Sequence, residues 1–144
     1  CTPTMISRYQ SRISGPMLDR IDIHLDVPRV EHEKLMSSQR GESSLNVRER
    51  VEKAREHQRK RFAQHPHLHA NADMTVSEIQ SMCVLSNEAK QLLDISVKRM
   101  QLSARSYHRV LKLSRTIADL ADSPRIEVQH VAEAVQYRQR SRAV

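Results

Sequence analysis

Apolar side chains recur every three or four positions along most of this chain, which is the spacing of an amphipathic helix. The pattern predicts longer helices over residues 44–64, 86–101, 103–122 and 127–140. A helix with a wide apolar face buries that face against neighbouring elements. We therefore predict a compact helical bundle from residue 75 onward. The apolar face is broadest over 103–122, where it contains Tyr107, Val110, Leu111, Ser114, Ile117, Ala118 and Ala121.

Hydroxyl side chains stand at the predicted helix starts, where they accept hydrogen bonds from the free backbone N–H groups of the first turn. Ser44, Ser86 and Ser103 are the predicted N-caps. Thr75 and Glu78 have the spacing of a capping box and predict a short helix to about residue 83. Other predicted features are a short helix within 3–14, a second within 31–36 and a loop over 65–73.

One segment changes to the two-residue period of a half-buried strand. Apolar and polar residues alternate from Ile21 to Val27, and Pro28 ends the run. The backbone of a strand needs a ladder partner, and no other strand is predicted in the chain. Together with a start at Cys1 rather than at methionine, this favours a fragment of a longer protein whose sheet is formed upstream.

Composition narrows the fold class further. The chain has 144 residues, enough for one domain or for a small domain with an appendage. Only 3% of its residues are aromatic and two are glycine, which argues against a β-barrel or sandwich and for a mainly α fold. Two cysteines cannot build a disulfide framework, and no apolar run is long enough for a membrane span. We therefore expect a cytoplasmic protein.

The sequence contains no P-loop, G-x-G-x-x-G, H-E-x-x-H or C-x-x-C motif, so we expect the chain alone to catalyse no reaction. Its net charge is +7, and the predicted helix over 44–64 carries seven Lys or Arg residues against three Glu. Such a surface suits a nucleic-acid backbone. Its interspersed glutamates equally suit an ordinary salt-bridged helix, and both interpretations stay open.

Arg20 lies between Asp19 and Asp22, where the chain leaves the Gly15-Pro16 turn and just before the predicted strand. An arginine held by flanking carboxylates at the end of a turn could be presented rigidly to a phosphate on a neighbouring molecule. The alternative is a surface ion pair of little energetic value.

Arg105 falls in the first turn of a predicted helix, where the helix dipole disfavours a cation and favours an anion. With Arg109 and Lys112 it forms a basic stripe opposite the apolar face. A cation in a first helical turn without visible compensation indicates a candidate phosphate site. A solvated helix face would have the same pattern.

His65, His67 and His69 alternate along a loop that contains proline. Metal sites use histidine, but this spacing without a cysteine or a clear carboxylate partner is a weak signal. We therefore predict a solvated loop without a metal ligand, and a core position for Cys83.

Three segments carry a specific resemblance: RISGPMLDRIDI at 12–23, LSARSYHRVLK at 102–112 with RTIADL at 115–120, and HVAEAVQYR at 130–138. Together they resemble the C-terminal part of the magnesium-chelatase-like AAA+ ATPases of the competence protein ComM family. The resemblance covers nearly the whole chain.

The resemblance implies a homo-hexameric ATPase that binds ATP and Mg²⁺ through Walker motifs upstream of this chain. Residues 1–28 would be the end of the α/β core, 29–74 a linker with the long basic helix, and 75–144 a helical lid. By position in the motifs, Arg20 would be the arginine finger that reaches a neighbouring subunit's γ-phosphate. Arg105 would be the sensor 2 arginine, with Arg109 beside it at the nucleotide. Cys1 resembles the last member of a cysteine cluster in relatives.

Three functions remain open at this point. The first is a DNA motor for unwinding or branch migration, favoured by the positive charge. The second is a protein-remodelling or metal-insertion motor of the magnesium chelatase kind. The third is a free-standing helix-turn-helix module, formed by residues 86–101 and 103–122, that binds DNA.

Overall fold

The computed structural model describes residues 2–10, 12–30, 36 and 41–138. In this part of the chain helices dominate, as predicted. They are α1 (Pro3–Gln10), α2 (Gly15–Leu18), α3 (Ser44–Arg61), α4 (Val76–Met82), α5 (Asn87–Met100), α6 (Ala104–Leu120) and α7 (Val128–Gln136), with a short 3₁₀ turn at Asn71–Asp73 before α4.

The helix starts follow the predicted capping with one correction. Ser86 Oγ accepts a hydrogen bond from Ala89 N at 3.2 Å, and Ser103 Oγ caps α6 in the same way. In α3 the cap is Ser43 rather than Ser44, because Ser43 has extended backbone and its Oγ accepts from Asn46 N. The capping box of α4 is present, with Thr75 N donating to Glu78 Oε2 at 2.6 Å.

Two helices end earlier than predicted. Helix α3 ends at Arg61 rather than near 64, because Phe62 leaves the helical path and buries its ring, which is 4% exposed. Helix α7 ends at Gln136, and residues 139–140 of the extension predicted to 140 lie outside the described residues. The helix predicted over 31–36 also lies outside them, except for Met36.

Helix α6 is the centre of the bundle. It packs against α3, α4, α7 and the 3₁₀ turn, and α5 covers the other side of α7. Its predicted apolar face is inside except for Ala121, which is exposed: Val110 and Ala118 have no exposed surface and Leu111 is 4% exposed. The core extends back to the segment after α3 through Phe62, Leu68 and Met74, and it includes Cys83 as predicted. Its other buried apolar residues are Ile79, Ala89, Leu93, Val110, Leu111, Ile117, Ala118, Ile126, Val131 and Ala134.

The strand predicted from Ile21 to Val27 is wrong. Residues 21–30 have irregular backbone, and the described part of the chain contains an isolated bridge between Leu85 and Ile126 but no sheet. The apolar side chains of the segment are exposed, from 41% at Ile21 to 88% at Val27. Alternation alone does not make a strand, because the backbone needs a second strand alongside. Among the described helices, none is long and apolar enough to cross a membrane.

A buried histidine side chain caps the N-terminus of α7. His130 is 2% exposed, and its Nδ1 accepts a hydrogen bond from Glu127 N at 3.0 Å. Burial, together with the positive charge of Arg115, holds the pKa of His130 below its ordinary value. The imidazole is therefore neutral in the folded protein, because only the neutral ring can accept this bond.

We expect the free energy of unfolding to fall as the pH drops below about 6.5, the ordinary pKa of histidine. Below that pH the unfolded chain takes up a proton on His130 that the folded chain does not, which contributes at most about 1.4 kcal/mol per pH unit. Urea unfolding from pH 7 to pH 5 measures this slope. His130→Gln should flatten it, whereas His69→Gln in an exposed loop should not. An equal slope in wild type and His130→Gln would contradict the assignment.

Candidate functional site

A basic cleft lies between α6, α4, the 3₁₀ turn and the segment that follows α2. Its volume is about 590 Å³, within the range of small-ligand sites. The predicted basic stripe of α6 lines one wall, because positions separated by three or four residues share a helix face. The lining residues from α6 include Arg105, His108, Arg109, Lys112 and Thr116, and Thr75 and Asp22 face them.

Two cations of the cleft already have partners within the chain. Arg109 forms an ion pair with Asp22 through Nη1 and Oδ1, and its side chain is 28% exposed. Lys112 Nζ donates to the backbone oxygen of Ala72 at 2.6 Å. These contacts fix the positions of both side chains. Arg109, predicted to bind the nucleotide, would have to share its guanidinium with Asp22 to do so.

Arg105 lies in the first turn of α6 with its side chain exposed. The backbone N–H groups of a first helical turn and the helix dipole both favour an anion there. The guanidinium thus stands at the cleft rim beside a surface that attracts negative charge. The structure thus places Arg105 where it could meet an anion, and its role as a phosphate ligand stays a prediction.

Asp19 fastens the turn after α2 to the start of α6. Its carboxylate accepts hydrogen bonds from Ser103 Oγ at 2.8 Å and from Ser106 Oγ at 3.0 Å. The bonds from Ser103 and Ser106, with the positive charges of Arg138 and Arg105, keep the pKa of Asp19 below its ordinary value. An ionised Asp19 therefore joins two parts of the chain that the sequence places 84 residues apart.

Arg20 follows Asp19 directly and is exposed. The structure corrects the idea that Asp19 and Asp22 hold its guanidinium, because Asp19 turns to α6 and Asp22 pairs with Arg109. Arg20 Nη1 instead donates weakly to the backbone oxygen of Pro16, at 3.4 Å. The turn itself is anchored, and the arginine projects from it. Arg20 and Arg105 thus both lie on the protein surface near the N-terminal end of α6.

Arg138 is a positioning residue for this turn that the sequence did not single out. It is 6% exposed, and its Nη1 donates to the backbone oxygen of Ile21 at 2.6 Å. Its Nη2 donates to Ser106 Oγ at 2.8 Å. The guanidinium joins the end of α7, the start of α6 and the segment after Arg20. In the sequence, Arg138 falls within the helix predicted over 127–140, and nothing there indicated such a role.

A buried ionic network joins α3 to α6. Asp119 is 2% exposed and accepts from Arg61 Nη1 at 2.9 Å, from Asn71 Nδ2 at 2.9 Å and from Arg115 Nε at 3.1 Å. Arg115, 1% exposed, also donates to the backbone oxygens of Ser123 and Pro124. A sequence signal existed, because Arg115 falls within the apolar face between Leu111 and Ala118. The network fixes the helix that carries the cleft.

Three basic side chains of helix α3 pair with glutamates on the helix or just before it. Arg50 binds Glu42, and both Arg59 and Lys60 contact Glu56. The first half of the helix is exposed, including Val47 and Val51 of the predicted apolar stripe. From Ala54 onward the stripe is buried against α6. This arrangement is that of a salt-bridged helix, and its exposed basic residues remain available to a polyanion.

The loop histidines do not act as a set of three. His65 and His67 lie close to Glu78 on α4, with potential ligand atoms within 4.8 Å of one another. His69 lies outside this group, and its backbone N donates to Asp73 Oδ2. The sequence pattern of the loop showed no carboxylate partner for these histidines. In the structure Glu78 of α4 provides one.

Comparisons with known proteins match both parts of the chain. Residues 1–35 match the family described as magnesium chelatase, subunit ChlI, and residues 41–138 match the C-terminal family of the same subunit. The chain is 41% identical over 95% of its length to competence protein ComM of Haemophilus influenzae. It is 40% identical over 96% to the uncharacterized protein YifB of Salmonella typhimurium, and 32% identical over 96% to Mb2921c of Mycobacterium bovis.

The chain spans about a quarter of the length of these relatives, 26% for ComM and YifB and 27% for Mb2921c. The C-terminal family match covers more than half of the chain and includes every helix from α3 to α7. The resemblance inferred from the three sequence segments is thereby confirmed, and the chain belongs to the magnesium chelatase ChlI C-terminal family.

Proposed function

We propose that this chain is the C-terminal lid region of a hexameric AAA+ ATPase that couples ATP hydrolysis to DNA remodelling, by unwinding or branch migration. The observation that carries the proposal is the basic cleft at the start of α6, where Arg105 is exposed beside a helix N-terminus. Family membership supports a lid-type region that works with an ATPase core. We further propose that the protein acts in the cytoplasm, where ATP is abundant.

The cleft fits the phosphates of a nucleotide better than it fits a metal ion. It offers the guanidinium groups of Arg105 and Arg109 and the ammonium group of Lys112 as donors. Its one carboxylate, Asp22, is paired with Arg109. When bound, ATP supplies the phosphoryl group and Mg²⁺ offsets its charge. We assign phosphate binding to this chain, and Mg²⁺ binding to residues beyond it.

Arg105 would bind the phosphates of the same subunit, since it belongs to the cleft wall. Asp19 would help to position Arg105, because it accepts hydrogen bonds from Ser103 and Ser106 at the start of the same helix. Arg20 is exposed on an anchored turn, which suits a contact with the nucleotide of an adjacent copy. Both cations would stabilise charge that develops on the γ-phosphate during transfer to water. Release of these contacts after hydrolysis would change the subunit interface.

The DNA part of the proposal rests on charge. The chain carries a net +7, and polyanions bind such surfaces with release of counterions. A second candidate is a metal-insertion or protein-remodelling motor, favoured by the match to magnesium chelatase subunits. Only the first candidate requires a salt-dependent interaction with DNA.

We expect Arg105→Ala to reduce ATP hydrolysis by about 100-fold in the longer protein of which this chain would be the C-terminal quarter, because one donor to the reacting phosphate is lost. Hydrolysis is measured as phosphate release with and without branched DNA. A DNA remodelling motor should hydrolyse ATP faster when branched DNA is present.

Arg99→Ala is the matched control, because Arg99 is an exposed arginine on α5 away from the cleft. It should leave hydrolysis unchanged. Normal kinetics in Arg105→Ala would refute the phosphate role. A rate indifferent to DNA at low salt would reject DNA remodelling in favour of the chelatase-type motor.

A further inference from the structure

His65, His67 and Glu78 bring together three metal-ligating side chains on the side of α4 next to the loop. The His67 Nε2 atom lies 3.6 Å from Glu78 Oε1. The two imidazole rings have centroids 6.0 Å apart and are nearly perpendicular. One potential ligand atom from each residue lies within 4.8 Å of the other two.

The separation of the His67 and Glu78 ligand atoms suits a tetrahedral zinc ion, and the ligand atom of His65 lies within 4.8 Å of both. Zinc binds histidine nitrogen and carboxylate oxygen at about 2.0–2.2 Å, so two of its ligand atoms lie about 3.3–3.5 Å apart. The distance between His67 and Glu78 is close to this value. His65 and His67 are half-buried and exposed respectively, which leaves room for a water as the fourth ligand.

The protein holds Glu78 in a ligating orientation. Its Oε2 accepts hydrogen bonds from the backbone N and the hydroxyl of Thr75. These bonds direct Oε1 toward His67, and bonds to the second oxygen of a carboxylate ligand are typical of metal sites. The hydrogen bonds from Thr75 also keep the pKa of Glu78 below its ordinary value, so the carboxylate is ionised.

The loop that carries the histidines is anchored at both ends. Phe62 and Leu68 are each 4% exposed, so their side chains fasten the loop to the core. Within it, His65 N donates to Phe62 O at 2.8 Å, and Leu68 N donates to His65 O at 2.9 Å. Pro66, between the two histidines, restricts the backbone further. Little conformational entropy would therefore be lost when a metal binds.

We propose that His65, His67 and Glu78 form a Zn²⁺ site that joins the loop after α3 to α4. Its ligand set of two nitrogens and one oxygen is one that zinc accepts, with a water completing the tetrahedron. Bound zinc would stabilise the folded chain, because the ligands are brought together only by folding.

The test is zinc titration of the 144-residue chain by calorimetry, in a Cys1→Ser background that removes the N-terminal thiol. Cys83 does not compete, since burial raises the pKa of its thiol to about 11. We expect one zinc per chain and an increase in thermal midpoint at saturation. His67→Gln and Glu78→Gln should each raise the Kd at least 10-fold. Glutamine at 78 preserves the capping box, so this loss would not reflect a damaged helix.

His69→Gln is the matched control, because it removes an imidazole from the same loop but not from the cluster. It should leave the zinc Kd unchanged. Absence of binding at 100-fold molar excess of zinc would overturn the proposal. An equal loss in His69→Gln and His67→Gln would also overturn it, by indicating non-specific binding to the loop. The titration contains no nucleotide or DNA, so its outcome is independent of the proposed ATPase function.

Discussion

Replacing Asp119 with alanine is expected to lower the free energy of unfolding by about 3–5 kcal/mol. The carboxylate is buried and accepts hydrogen bonds from Arg61 on α3, from Asn71 in the 3₁₀ turn and from Arg115 on its own helix. Its removal leaves Arg115 as a buried cation without its counter-charge, and the desolvation cost of that charge is no longer offset. Urea unfolding followed by circular dichroism measures the loss.

Asp122→Asn provides the matched control. Asp122 also contacts a basic side chain, His57 of α3, but it is 81% exposed. The backbone of Asp122 is left-handed (φ 55°), which asparagine tolerates better than alanine. Exposed pairs contribute about 0–1 kcal/mol, so this variant should unfold close to wild type. Asp119→Asn keeps the shape and part of the hydrogen bonding, and it should fall between Asp119→Ala and Asp122→Asn. If Asp119→Ala and Asp122→Asn lost equal stability, the network would not have the importance assigned to it.

If this chain is part of the ATPase proposed above, Arg20→Ala should reduce ATP turnover of the longer protein by about 10³- to 10⁵-fold, the magnitude known for an arginine supplied by a neighbouring molecule. The side chain is exposed on a turn that Asp19 and Arg138 hold against α6. Its loss should therefore spare folding and spare ATP binding within the subunit. Turnover is measured by phosphate release, and binding by fluorescence of a labelled nucleotide.

Arg29→Ala removes an exposed arginine from the irregular segment that follows this turn and should retain full turnover. Arg20→Lys tests geometry, because lysine keeps the charge but lacks the planar fork that grips phosphate oxygens. Turnover retained in Arg20→Ala, or lost together with ATP binding, would exclude the trans-acting role. Mixing Arg20→Ala with subunits that lack nucleotide binding should restore part of the activity, since the two defects lie in different partners.

The helices were predictable because each is specified by its neighbours in sequence. The periodicity of α6 and the caps at Ser86, Ser103 and Thr75 depend on contacts within one or two turns. Apart from the one-residue shift of the α3 cap to Ser43, the errors fell where a residue distant in sequence decides the structure. Phe62 ends α3 because its ring enters a core made by later helices. The segment from Ile21 to Val27 alternates as a strand would, yet it has no strand beside it among the described residues.

The candidate site was predictable only in part. Arg105 was found because a cation in a first helical turn breaks a local electrostatic rule. The roles of Asp19 and Arg138 were not visible, since their partners are about 84 and 117 residues away in the chain. The same holds for Glu78, which became a candidate metal ligand only when folding carried α4 to the histidine loop.

The sequence by itself determined the helical content, the helix starts, the inward face of α6 and the family to which the chain belongs, because these depend on short-range periodicity and on contiguous motifs. Tertiary structure alone decided the partners of the charged groups. It directed Asp22 to Arg109 rather than to Arg20, and it brought Arg61 of α3 to the buried Asp119. A carboxylate can pair with any cation that comes near it, whatever their separation in sequence. Which two charged side chains pair is therefore decided by where packing of the core places them.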